Sequence, residues 1–199
     1  MGWAKNFGKP EGFIGKVMLT GMNHDHAPFY RWGLSHFEWK DNTTALDVGC
    51  GGGINIRRML SFSESCKVCG IDISDQAVMK SMMMNRDLIG KRCLVRKGAA
   101  EAVPFKDGVF DVVTAFETVY FWNDVPAAFS EIYRVLKPGG MLIVGCKKTG
   151  TGTTCTKPRS GKVIYTTDAL YEMLSAAGYT DITAETNDRS WLCITGRKP

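Results

Sequence analysis

The stretch Leu46-Asp47-Val48-Gly49-Cys50-Gly51-Gly52-Gly53 decides the fold. The apolar residues around Asp47 read as a buried strand, and the glycines after it read as a turn that opens into a helix. Glycines at 49, 51 and 53 let the backbone approach a bound ligand where a Cβ would collide. A phosphate cradle at such a turn wants bare N–H groups and positive potential. Asp47 supplies a carboxylate instead, which suits a ligand with a cationic end.

Working outward, strand-like and helix-like segments alternate from Thr44 onward. The pattern predicts strands over 44–49, 67–72, 92–97, 110–116 and 141–146, with helices over 53–62, 75–89 and 125–136. Leu136-Lys137-Pro138-Gly139-Gly140 stops the last of these, since proline cannot continue a helix and glycine supplies the turn. Thr167 and Asp168 start another helix that ends at Gly178. Two final strands, 179–185 and 191–197, flank Asn187-Asp188-Arg189 as an antiparallel hairpin. Residues 1–42 are rich in glycine and aromatic residues and hold all three histidines. They are expected to form an N-terminal cap over one end of the sheet, within the same domain as residues 43–199. The Gly-, Thr- and Lys-rich stretch 148–162 reads as a loop.

With 199 residues, 44% hydrophobic and 23% charged, the composition is that of one soluble globular domain. No apolar run approaches a membrane span, and the first residues have no signal-peptide stretch, so a cytoplasmic protein without a membrane partner is expected. Seven cysteines are scattered along the chain. Cys66 and Cys69 have redox or zinc spacing but no second pair and no histidine pair nearby, so reduced thiols and no metal are expected. The net charge of +5 lies in local basic groups of a solvated surface.

Asp72 ends the second strand about twenty residues past the glycine turn, where an acid accepts hydrogen bonds from ribose hydroxyls, and Ile73 follows it. Ser74 is the better N-cap for the next helix, which leaves Asp72 for the sugar. Ala99, Ala100 and Glu101, after the third strand, leave room for an adenine ring. Phe116 and Glu117 stand at the carboxyl end of the fourth strand, where open α/β sheets place ligands. Asp111 reads as structural. A cationic end, a ribose and an adenine together describe S-adenosylmethionine.

These landmarks, in this order over residues 44–197, resemble the class I S-adenosylmethionine-dependent methyltransferases. The resemblance implies a Rossmann-like seven-stranded sheet with helices on both faces and an antiparallel last strand. It also implies that Asp47, Gly49, Cys50, Gly51, Gly53, Asp72, Ile73, Ala99, Ala100, Glu101, Phe116 and Glu117 hold the cofactor. Val103-Pro104-Phe105 is similar to the Leu-Pro-Phe of small-molecule enzymes of the quinone-biosynthesis type. Thr114-Ala115-Phe116-Glu117-Thr118-Val119-Tyr120-Phe121-Trp122 and the pattern Met22-Asn23, His26, Trp32-Gly33-Leu34 resemble a bacterial subgroup of unassigned substrate.

Methyl transfer from a sulfonium needs alignment and exclusion of water, and a base only where the acceptor arrives protonated. Glu117, Tyr120 and His26 are the candidate catalytic residues. Glu117 would position cofactor or acceptor, Tyr120 would offer an aromatic face to the sulfonium, and His26 would reach in from the cap. A dehydrogenase is disfavoured because Ile54 stands where its third glycine belongs. Phe116-Glu117-Thr118-Val119 lacks the proline pair of enzymes that methylate base amines, so no nucleic-acid partner is expected. A small-molecule acceptor is expected, for a monomer or homodimer. Protein or nucleic-acid methylation, and cofactor binding without transfer, stand as the alternatives.

Overall fold

The computed structural model describes residues 27–147 and 163–199. Its centre is a seven-stranded sheet: β1 (Thr44–Val48), β2 (Lys67–Asp72), β3 (Cys93–Lys97), β4 (Phe110–Phe116), β5 (Leu136–Lys147), β6 (Thr180–Thr186) and β7 (Trp191–Arg197). The spatial order is β3-β2-β1-β4-β5-β7-β6. Neighbours from β3 to β5 pair in parallel, and β7 runs antiparallel to both β5 and β6. The order reverses beside β1, so the carboxyl ends of β1 and β4 diverge there and open a crevice.

Helices cover both faces. On one face lie α1 (Ala27–Leu34), α2 (Ile54–Leu60) and α3 (Asp75–Met84), packed with Ala45, Val68, Val112 and Ile143 of the sheet. On the other lie α4 (Val125–Val135) and α5 (Thr167–Ala176), packed on Leu46, Val113, Leu142 and Ile194. In α4 the buried residues Val125, Ala128, Phe129, Ile132 and Val135 follow helical spacing. Asp124 caps it by accepting from the Ala127 amide at 2.9 Å, and Pro126 occupies the first turn.

The described part of the expected cap packs on a sheet face rather than over an end. Phe29 of α1 is buried, and its ring meets Phe116 edge-on with centroids 5.6 Å apart. A Cβ on Gly33 would run into the Phe116 ring, which gives the Trp32-Gly33-Leu34 stretch its physical meaning: α1 sits close because position 33 is bare.

Most boundaries shift from expectation by a residue or two, and three shifts have a clear local cause. The helix drawn over 75–89 stops at Met84, because Asn85 turns inward as its C-cap. β5 starts at Leu136 rather than 141: Leu136 pairs with Phe110, residues 137–140 bulge, and pairing resumes at Met141 with Val112. The bulge keeps backbone partners, as the Gly139 amide donates to Lys198 O and the Lys198 amide to Gly140 O. Thr166, one residue earlier than expected, caps α5 by accepting from the Ala169 amide. Asp111 is structural as read: it accepts from the Thr44 amide at 2.8 Å and pairs with Lys137. The six described cysteines, Cys66 and Cys69 among them, are free thiols. No helix among the described residues is long and apolar enough to cross a membrane.

Candidate active site

The crevice at the carboxyl ends of β1, β2 and β4 is lined by the glycine turn, by Asp72 and Ile73, by residues 98–101 and by residues 116–118 and 121–123. Asp47 lies at its floor, 3% exposed. Its Oδ1 accepts from Thr114 Oγ1 at 2.8 Å and from Asn55 Nδ2 at 3.2 Å. Both bonds fall on one oxygen, so Oδ2 is left for a ligand. Asn55 is also buried and lines the crevice, and its Oδ1 has no hydrogen-bond partner among the described residues. Two buried acceptors side by side fit a ligand that brings N–H donors and positive charge. Burial pushes the Asp47 carboxyl up to about 6, against the lowering effect of its two hydrogen bonds.

Asp72 closes the turn as well as facing the crevice. The Gly51 amide donates to its Oδ2 and the Ser74 amide to its Oδ1, both at 2.9 Å. Each carboxylate oxygen keeps a lone pair for a sugar hydroxyl. Burial raises its pKa, opposed by these backbone bonds. Ser74 caps α3 by accepting from the Ala77 amide, so the acid is spared that role. Glu101 lines the crevice and accepts from the Asn123 amide at 2.6 Å, which ties the segment after β3 to the one after β4.

Glu117 takes a left-handed backbone, φ 58°, which a non-glycine residue adopts at a cost of order 1 kcal/mol or more. Its amide donates to Gly145 O at 2.8 Å, and the conformation turns its carboxylate onto the crevice wall. Tyr120 Oη donates to Glu117 Oε1 at 3.2 Å and accepts from the Lys147 amide at 2.6 Å. Burial first, then the nearby negative groups, raise the Tyr120 pKa, so the phenol stays a donor.

Eleven of the twelve residues expected at the cofactor line this crevice; Gly53 does not. Gly53 sits at φ 80° at the start of α2, where a Cβ would meet the Ser81 hydroxyl and lie 2.7 Å from the Ser81 Cα. Its bareness serves the packing of α2 on α3. The Gly49 side is likewise filled by protein, since a Cβ there would strike the Thr118 methyl. Of the candidate catalytic residues, Glu117 lines the crevice and Tyr120 stands behind it, whereas Phe121 and Trp122 take the aromatic positions on the wall. His26 lies outside the described residues, as do Met22, Asn23 and residues 148–162.

Sequence reasoning missed Tyr30, Asn55 and Thr118. Tyr30 reaches the crevice from α1, its ring edge-on to Phe116 at 5.4 Å and under the Arg58 guanidinium. Burial, with the Asp47 and Glu117 charges, raises its pKa, so it too stays protonated. Asn55 was legible as a polar residue eight positions after Asp47, on the first turn of the helix that follows the glycines. Tyr30 carries no local signal.

Residues 46–144, close to half of the chain, match the family described as Methyltransferase domain. A sterol 24-C-methyltransferase of Eremothecium gossypii is 32% identical over 145 residues, which is 72% of this chain and 37% of that protein. Among solved structures, the [4+2]-cyclase SpnF superposes with TM-score 0.75 at 23% identity, covering 86% of this chain and 81% of that one. Phosphoethanolamine N-methyltransferase 2 of Haemonchus contortus, solved with S-adenosyl-L-methionine, gives 0.76 at 18%, covering 87% and 53%. The chain therefore carries a class I methyltransferase domain, with the Rossmann-like sheet of that class. It spans between about a third and a half of the length of the curated relatives it matches.

Proposed function

We propose that this chain binds S-adenosylmethionine and catalyses transfer of its methyl group to a small-molecule acceptor. The observation that carries the reading is a pair of acceptors on two buried residues at the base of a glycine turn, the Asp47 oxygen that its two protein donors leave free and the unpartnered Asn55 Oδ1. They match an amino-acid ammonium. Asp72 matches a ribose diol, and the backbone of Gly98 and Ala99 leaves a slot for a flat base.

When bound, the cofactor supplies an activated methyl group on a positively charged sulfur. The chain's own residues then have three tasks. Asp47, Asn55 and Asp72 fix the two ends of the donor. Tyr30, Phe116, Phe121 and Trp122 wall the crevice with rings, which exclude water and favour a cation. Glu117, held by Tyr120 and by its own strained backbone, presents a carboxylate that orients the acceptor. This arrangement needs no general base for an acceptor that arrives unprotonated.

A wall of rings favours an apolar or aromatic acceptor. That agrees with the sterol named for one relative and with the quinone-type resemblance, while the phosphoethanolamine enzyme shows the fold serving polar acceptors too. Free buried thiols are in keeping with a reducing, cytoplasmic setting.

Titration calorimetry with S-adenosylmethionine and its demethylated product tests the binding. Heat with wild type and about tenfold or greater loss in Asp72→Ala, as expected for losing charge-assisted bonds to a ribose, support it. No heat with folded wild type sinks it. A methyl-consumption screen against sterol, quinone and amine acceptors tests the transfer. Glu117→Gln should lower turnover on any acceptor found, with the fold intact. Binding without consumption of any acceptor would leave a cofactor-binding protein.

A further inference from the structure

We propose that the outward face of α3 is a docking surface for an anionic lipid bilayer, independent of the reading of the crevice. Helix α3 buries Ala77 and Ser81 against the sheet, and beyond Asp75, which pairs with Lys97 in the first turn, the middle of its opposite side is apolar. Met79, Met82 and Met83 stand there 64%, 40% and 72% exposed. Their spacing, i, i+3 and i+4, puts them on one stripe, and Arg86 continues it one turn further. Three neighbouring methionines in water are an uncommon use of a helix surface, because this is the face where a soluble domain places charge. Ile73, 41% exposed, adds an apolar side chain at the foot of α3, beyond the Asp75–Lys97 pair and at the rim of the crevice.

The charge around the stripe selects the partner. Residues 73–97 hold Lys80, Arg86, Lys91, Arg92, Arg96 and Lys97 against Asp75 and Asp87, six minus two, so +4 of the chain's +5. Both acids are already paired, Asp75 with Lys97 at 2.7 Å and Asp87 with Arg57 at 2.6 Å. Arg86 and Lys91 are exposed and make no ion pair among the described residues. A flexible apolar stripe bordered by an excess of cations fits a surface that is negative at its headgroups and apolar just beneath them. A second copy of this chain would bring the same positive charge against itself, which disfavours self-association through this face. No helix among the described residues is long and apolar enough to cross a bilayer, and the face of α3 would lie on one, a membrane partner in place of the expected none.

Flotation of the full chain with vesicles of phosphatidylcholine, with and without phosphatidylglycerol, tests the proposal. Wild type should float with the anionic vesicles, stay behind with the neutral ones, and be released by added salt. The triple variant Met79→Ser, Met82→Ser, Met83→Ser should lose on the order of tenfold or more in vesicle affinity. Because Met79 and Met83 mostly face water and Met82 is 40% exposed, the variant should stay folded with a melting temperature lowered by only a few degrees, checked by calorimetry beside the flotation. Arg86→Glu with Lys91→Glu should lose a similar factor while keeping the methionines. Wild type that ignores anionic vesicles overturns the proposal, and so does a methionine triple variant that binds them unchanged. A methionine-dependent dimer in sedimentation, without vesicle binding, overturns it in favour of a second copy.

Discussion

At the scale of single residues, the most consequential group is Asp47. Its carboxyl is pushed up to about 6 by burial, from an ordinary value near 4. The folded, unliganded protein therefore binds a proton here more tightly than the unfolded chain does. Between about pH 4 and pH 6 the unfolded state ionises first, so this residue's contribution to stability falls as pH rises and is fully unfavourable above 6. The cost corresponds to about 3 kcal/mol. Asp47→Asn should therefore melt several degrees higher than wild type at pH 7.5 without ligand, and the difference should vanish near pH 4. The same change should weaken S-adenosylmethionine binding strongly. In wild type, affinity for that ligand should drop as pH falls below 6, because only the carboxylate attracts an ammonium. Calorimetric melting and binding at several pH values read both effects. A variant that melts no higher at neutral pH would show that Asp47 carries no desolvation cost.

At the scale of elements, the joint between α2 and α3 holds the glycine turn in place. Asn85 is fully buried, and its Nδ2 donates to Gly53 O at 3.1 Å and to Ser81 O at 3.0 Å. One amide thus caps α3 and grips the start of α2. Asn85→Ala should remove the second donor from two carbonyls that keep the Arg57 and Asn85 backbone amides, and open a small buried cavity, costing about 1–3 kcal/mol. Chemical denaturation should register that loss. Calorimetry should also show weaker cofactor binding, although Asn85 is no part of the crevice lining. The alternation of strands and helices was legible because buried strands and amphipathic helices impose different periods on the sequence. The end of α3 was not, because Met82-Met83-Met84 and Leu88-Ile89 continue a helix-like composition straight through the residue that stops it. Likewise Pro138-Gly139-Gly140 looks like a clean break, and it is Arg197 and Lys198, far along the chain, that bond this stretch and carry β5 through it.

At the scale of the whole molecule, the crevice is assembled from five separated stretches: the turn after β1, the end of β2, the end of β3, the run after β4, and one residue of α1. The first four were legible because parallel sheets bring strand ends together wherever the order reverses. Tyr30 was not, since it arrives through the packing of Phe29 and Gly33 on Phe116, which no spacing announces. This division has a consequence for dynamics. Residues 49–53, 98–101 and 117–123 are tied to the strands mainly where they leave them, through the amides of Gly49, Cys50, Gly98 and Glu117, and otherwise lie outside the ladders, while β1, β4 and β5 lie deep in the sheet. A ligand that touches all three loops should therefore slow their hydrogen exchange together, by linkage to one binding event. We expect S-adenosylmethionine or its demethylated product to protect these three stretches and the Tyr30 end of α1 in concert. The amides of β6, an exposed edge strand, should be unchanged by the same ligand. Exchange followed by mass spectrometry reads every segment at once. Protection confined to one loop would mean that the ligand does not bridge the strand ends, and the crevice would then not act as a single site.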